Sequence, residues 1–189
     1  MGIRQTLLGL VSTVALASGA ARAEIASPVD VRVDRIGGTL VISASARLAA
    51  DRATAWSVLT DYAHYREFIP GVRTSRVVAR RGRTVLVEQS NELSLWLLRL
   101  PIRVTYEIDE YPPVRLTSRA LAPAFPPLES TFRLDGSGAG IRLHYEGHIG
   151  AGMPMIDRAE QRALEETALR GFEALATEIE RRSAAAAPN

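Results

Sequence analysis

The chain has 189 residues, 47% hydrophobic and 23% charged, the size and balance of one folded domain; this excludes a disordered chain and a multi-span membrane protein. Cysteine is absent, which excludes disulfides, thiolate metal sites, a cysteine nucleophile and a lipobox anchor. All 23 basic residues are arginine, yet Arg4 and Arg22 lie in an acid-free amino-terminal segment and the other 21 face 21 carboxylates, so a general affinity for nucleic acid or anionic membrane loses its main support.

Met1 to Gln5 carries one positive charge, Thr6 to Leu16 is apolar, and Ala21-Arg22-Ala23 precedes Glu24. That is the order of a secretory signal. Cleavage is expected after Ala23, which divides the chain into a signal at 1–23, a domain at 24–183 and a frayed, low-complexity tail at 184–189, and places the product in the periplasm or outside the cell. The apolar run is shorter than the about 20 residues of a spanning helix; retention as an anchor is the alternative.

Asp30 to Ile36 and Thr39 to Leu48 alternate in polarity around Gly37-Gly38, a pair suited to a tight hairpin. Asp51 is the expected N-cap of a helix carrying Ala53, Trp56, Val58 and Leu59 at near-helical spacing. A second short helix is expected from Tyr62 to Phe68, stopped by Ile69-Pro70-Gly71. Period two then returns in Val72 to Arg80, Thr84 to Leu93, Ile102 to Asp109, Val114 to Leu121, Glu129 to Leu134 and Ile141 to Ile149. The short turns between these strands predict an antiparallel meander. A long helix is expected from Pro154 to Arg182, with Leu164, Ala168, Phe172, Leu175 and Ile179 as its packing stripe. Its partner is the sheet face bearing Ile102, Val104, Tyr106 and Ile108, then Leu116, Ser118 and Ala120, then Phe132 and Leu134, then Ile141, Leu143 and Tyr145.

Two segments carry a family likeness: Ala53-Thr54-Ala55-Trp56-Ser57-Val58-Leu59-Thr60-Asp61-Tyr62, and Phe68-Ile69-Pro70-Gly71-Val72 after it. With the order of elements around them, they resemble the helix-grip fold of the START-like (SRPBCC) superfamily, in its polyketide cyclase/dehydrase and coenzyme Q-binding branch, over Thr39 to Arg182. The resemblance implies an α+β domain in which a curved antiparallel sheet of about six or seven strands wraps a long carboxy-terminal helix. An apolar cavity would lie between them, lined by Tyr106, Ser118, Phe132, Tyr145, Leu164, Ala168 and Phe172. Its mouth would be formed by Tyr62, Tyr65, Phe68 and Met153 or Met155. The same side chains equally serve a plain core. Gly171 is either a point of close approach on the long helix or a surface glycine.

Other candidates resolve toward structure. His144, Glu146 and His148 share one strand face, but it is the face opposite Ile141, Leu143 and Tyr145, so a solvated polar surface is expected and no metal. Gly136 to Gly140 joins two strands and no lysine accompanies it, so it reads as a hairpin turn and not a phosphate loop. His64 lies beside Tyr62 and Tyr65, with no orienting partner evident in the sequence. Ser94 to Leu100 is the most apolar stretch after the signal; it is either core or a loop near the mouth, where Trp96 and Leu97 would make transient contact with a membrane or partner.

No catalytic constellation and no cofactor emerge. The leading expectation is an exported carrier for a hydrophobic small molecule (a lipid, isoprenoid, quinone or polyketide-like aromatic), held by desolvation. A cyclase or dehydrase using Tyr106, Tyr145 or His64 is the second reading, and a membrane- or partner-binding module built on Ser94 to Leu100 the third.

Overall fold

In the computed structural model, residues 28–95, 98–121, 127–137, 140–150 and 158–186 are described. The expected signal and its cleavage point, Trp96, Leu97, Met153, Pro154 and Met155 lie outside them. The strands are β1 (Asp30–Ile36), β2 (Thr39–Leu48), β3 (Val72–Arg81), β4 (Thr84–Leu95), β5 (Leu98–Tyr111), β6 (Arg115–Ala120), β7 (Leu128–Ser137) and β8 (Gly140–Ile149). The helices are α1 (Arg52–Leu59), α2 (Tyr65–Phe68) and α3 (Arg158–Ala186).

All eight strands pair antiparallel in one sheet of order β1-β2-β8-β7-β6-β5-β4-β3. The count exceeds the expected six or seven because the hairpin at Gly37 and Gly38, both at positive φ, adds β1 as an edge strand outside the family-like region. β8 returns to pair with β2, so the helical excursion after β2 crosses from one side of the sheet to its far edge at β3. Two register shifts in the β3 ladder, at Val72/Thr74 and Val77/Ala79, interrupt that edge, a device that discourages pairing with another chain.

Local chemistry accounts for most element boundaries. Asp51 caps α1: its Oδ1 accepts from the Thr54 amide at 2.9 Å and its Oδ2 from the Thr54 hydroxyl at 2.6 Å. The expected second helix is instead a 3-10 turn (Tyr62–His64) running into the single turn of α2, and Gly71 at φ 84° leads into β3. β4 and β5 continue their ladder to the pair Leu95↔Leu98, so most of the apolar Ser94 to Leu100 stretch is strand and not loop. α3 continues to Ala186, past the expected stop at Arg182 and into the presumed tail, because alanine is the best helix former.

The core divides in two. A larger cluster joins α1, the carboxy-terminal half of α3 and one end of the sheet around Leu59, Leu134, Leu143 and Ile179. A smaller one, Val33, Leu40 and Ile42, packs with Leu164 and Ala168 near the start of α3. Buried Glu180 accepts the Ala49 amide at 3.0 Å and so ties the end of α3 to the turn after β2. Members of both clusters, from the sheet and from α3, line one cavity between them.

Candidate functional site

The gap exists because small residues face each other across it. On the sheet, register aligns Val85, Ile108, Ser118, Ser130, Gly147 and Ile42 in one transverse row, three consecutive members of which are Ser, Ser and Gly. On α3, Leu164, Thr167, Ala168, Gly171, Phe172 and Leu175 face that row at spacings of one helical turn. A Cβ on Gly171 would meet nothing within 4 Å. The result is a cavity of about 370 Å³, within the roughly 300–1,000 Å³ range of small-molecule sites.

Of the twelve positions expected to touch a ligand, nine line this cavity: Tyr62, Tyr65, Tyr106, Ser118, Phe132, Tyr145, Leu164, Ala168 and Phe172. Phe68 does not. It turns toward the end of α3, where the Arg182 guanidinium lies 5.7 Å from its ring centroid. Trp96 and Met155 fall outside the described residues. Tyr62 is part of the wall and not of an open rim: it is 1% exposed, and its hydroxyl donates to Glu110 Oε1 at 3.1 Å, which Arg80 balances at 2.9 Å. The Tyr65 hydroxyl donates to the Leu59 carbonyl at 2.6 Å. Ile69, Val72, Gln89, Leu128, Ser130 and Thr167 also line the site and were missed. Ser130 shares the inward parity of Phe132 and Leu134, so strand alternation marks it even though its polarity does not suggest burial.

Among the described residues, no Asp, Glu, Arg or His side chain lines the cavity. Its polarity comes from hydroxyls and one amide. Ser118 and Ser130 share a hydrogen bond of 2.8 Å, and Tyr145 lines the cavity beside them. Tyr145 reaches across because the next inward residue on β8 is glycine: a Cβ on Gly147 would sit 2.5 Å from the Tyr145 hydroxyl oxygen. Phe132 braces the same ring at a centroid distance of 4.8 Å. Tyr106 makes no hydrogen bond among the described residues. Gln89 Nε2 donates to Ser75 Oγ at 3.3 Å.

Burial raises the pKa of every tyrosine in the wall. The Tyr106 phenol is pushed up to about 12, and Tyr62, Tyr65 and Tyr145 also shift upward, burial being the leading cause in each. All four stay protonated at neutral pH and act as neutral hydrogen-bonding groups. His64 lies outside the cavity and, contrary to the sequence reading, has a partner: its Nδ1 is 2.5 Å from Asp61 Oδ1, brought close by the 3-10 turn. Asp61 Oδ2 also pairs with Arg182 at 2.8 Å. His148 pairs with Glu146 at 2.8 Å and His144 with Asp135 at 3.3 Å on the outer face. Among the described residues no cluster of three or more His, Asp or Glu is arranged to hold a metal ion.

The sequence profile of the family described as polyketide cyclase/dehydrase and lipid transport matches residues 39–182. No curated protein is similar enough in sequence to count as a match. Solved structures share the fold at low identity. The Zhui aromatase/cyclase from Streptomyces sp. R1128 is 17% identical, with a TM-score of 0.64 over 76% of this chain and 95% of its own. A STAR-related lipid transfer protein from Xanthomonas axonopodis is 18% identical, with a TM-score of 0.65 over 83% and 96%. A START superfamily protein from Mycobacterium smegmatis is 18% identical, with a TM-score of 0.57 over 78% and 99%.

Proposed function

Because the chain belongs to the polyketide cyclase/dehydrase and lipid transport family, with the helix-grip fold of the START-like superfamily, we propose that it is an exported carrier for an uncharged hydrophobic small molecule. The observation that carries this reading is the lining: apolar walls, hydroxyls and an amide, and no charged side chain among the described residues. An ionised ligand would lose its hydration there and find no counter-charge. A dry cavity of about 150 Å³ takes one benzene, so about 370 Å³ suits a body of two or three rings or an isoprenoid segment of similar bulk.

Hydroxyl accounting refines the ligand. Ser118 and Ser130 share one hydrogen bond between two hydroxyls, so whichever of them donates, the O–H of the other remains to be donated. The Tyr106 O–H is a second. Two donors in an apolar chamber favour a ligand with one or two carbonyl, ether or hydroxyl oxygens, a description that fits quinones, sterol-like lipids and reduced polyketides. Export follows the reading of residues 1–23 as a signal.

A cyclase or dehydrase would use the same hydroxyls, but a phenol held near 12 is far from the near-neutral pKa that suits general acid–base work. That mismatch favours carrying over conversion. Native mass spectrometry of protein purified from its own host tests the proposal. A co-purifying, uncharged, lipid-sized mass is expected, and a protein that emerges empty under gentle desolvation counts against a carrier.

A further inference from the structure

At one end of the convex face, cations stand beside cations. The ladders place Tyr111, Arg115, Arg133, His144 and Ser45 side by side in one row across the sheet, and Asp135, Arg142 and Arg47 in the next. All four arginines are exposed. None forms an ion pair among the described residues, and Asp135, the one carboxylate in the two rows, is 3.3 Å from His144. Like charges directly opposite each other on paired strands are destabilising; Arg115 with Arg133 and Arg142 with Arg47 both meet that condition. Toward the other end of the same face the signs alternate, with Glu107, Arg119, Glu129 and His148 in one row and Arg119 bonded to Glu107 at 2.6 Å. The near-neutral total charge therefore conceals a segregated surface.

The hairpins at this end add to it. The Arg83 and Arg115 guanidiniums lie 4.7 and 4.3 Å from the Tyr111 ring centroid, and Arg52 donates to the Gly136 carbonyl. Between Tyr111 and Arg115 the turn Pro112, Pro113 and Val114 is exposed, Val114 at 39%. An apolar tip flanked by a tyrosine and arginines matches a membrane–water interface, where the ring sits at headgroup depth and guanidiniums bind phosphate in a forked geometry. Nucleic acid would engage the arginines but leave the Pro–Pro–Val tip without a role.

We propose that this end of the sheet docks on an anionic lipid bilayer, seating lipid phosphates among Arg47, Arg115, Arg133 and Arg142 with Val114 dipped between headgroups. The site is distinct from the cavity and lies at the opposite end of β5 from its pairing of Leu98 with Leu95.

The test is co-sedimentation of the exported protein, freed of residues 1–23, with vesicles of phosphatidylcholine, alone or with about one third phosphatidylglycerol. Binding is expected only to the mixed vesicles and should fall as salt rises. At about 1 kcal/mol per arginine near an anionic surface, the double change Arg115→Ser with Arg133→Ser should lower the partition coefficient roughly thirtyfold, while the melting temperature stays equal or rises as the like-charge pair is removed. Val114→Ser should weaken binding without altering the salt dependence. Equal binding of the wild type to both vesicle types, or double-variant binding at the wild-type level, overturns the proposal. Retention on immobilised polyglutamate without vesicle binding overturns it in favour of an acidic protein partner.

Discussion

Gly171 offers the sharpest separation of a ligand cavity from an imperfect core. It lies inside α3, where glycine costs about 1 kcal/mol relative to alanine, and a Cβ there would meet nothing within 4 Å. Gly171→Ala should therefore raise stability by about 1 kcal/mol, or about 3 °C in melting temperature for a chain of this size. Gly171→Phe sends an aromatic ring into a cavity of about 370 Å³ and takes about 150 Å² of contact away from any occupant. At about 25 cal/mol per Å² the loss is about 4 kcal/mol, or roughly a thousandfold in affinity. Thermal unfolding reads the first change, and titration with an uncharged environment-sensitive dye such as Nile red reads the second. A folded Gly171→Phe that binds dye as the wild type does, or a destabilised Gly171→Ala, would refute the argument that the small residues on α3 create usable space.

Two further perturbations test the wall and the entrance helices. Gly147→Ala places a methyl group 2.5 Å from the Tyr145 hydroxyl oxygen and should destabilise by about 1–3 kcal/mol in urea unfolding; combined with Tyr145→Leu it should cost less than the sum of the single changes, since the clash is then gone. Asp61 raises the pKa of His64 through a hydrogen bond and its charge, so the stability from this contact is full below the ordinary histidine value of 6.5 and is lost as pH climbs through the raised value. The Asp61 carboxyl is pushed up by burial but held below its usual value on balance by hydrogen bonds from His64 and Arg182, so its contribution, present above 3.8, disappears as pH falls through the lowered value. NMR titration should show the His64 imidazole midpoint above 6.5 and its return toward that value in Asp61→Asn; an unchanged midpoint would exclude the coupling.

Strand faces, the Asp51 cap, the Gly37-Gly38 turn and the packing stripe of α3 were legible because each is set within a few residues. Alternation assigns a side chain to a face without any tertiary knowledge. It was enough to place Tyr106, Ser118, Phe132 and Tyr145 on the inner surface, and helical spacing did the same for Leu164, Ala168 and Phe172. The resemblance at Ala53 to Tyr62 supplied the helix-grip arrangement. Phe68 and Tyr62 show where this stops: spacing puts both near the start of the short helices, but contacts from residues distant in sequence, Arg182 for one and Glu110 for the other, decide which way they turn.

Register was decided only by the folded chain. Periodicity of two says which residues point inward but not which of them stand beside one another. That Ser118 and Ser130 stand side by side opposite Ala168 and Gly171, leaving room for a ligand, while Gly147 beside them makes room for the Tyr145 ring, depends on ladders between strands and on the seating of α3. The same ladders bring Arg115 to Arg133 and Arg142 to Arg47, so a surface whose charges cancel in the total is polarised in space. The sequence by itself determined the order of elements and the face each side chain takes, because those follow from local backbone geometry; the cavity and the basic end arise from non-local pairing, which only the tertiary structure specifies.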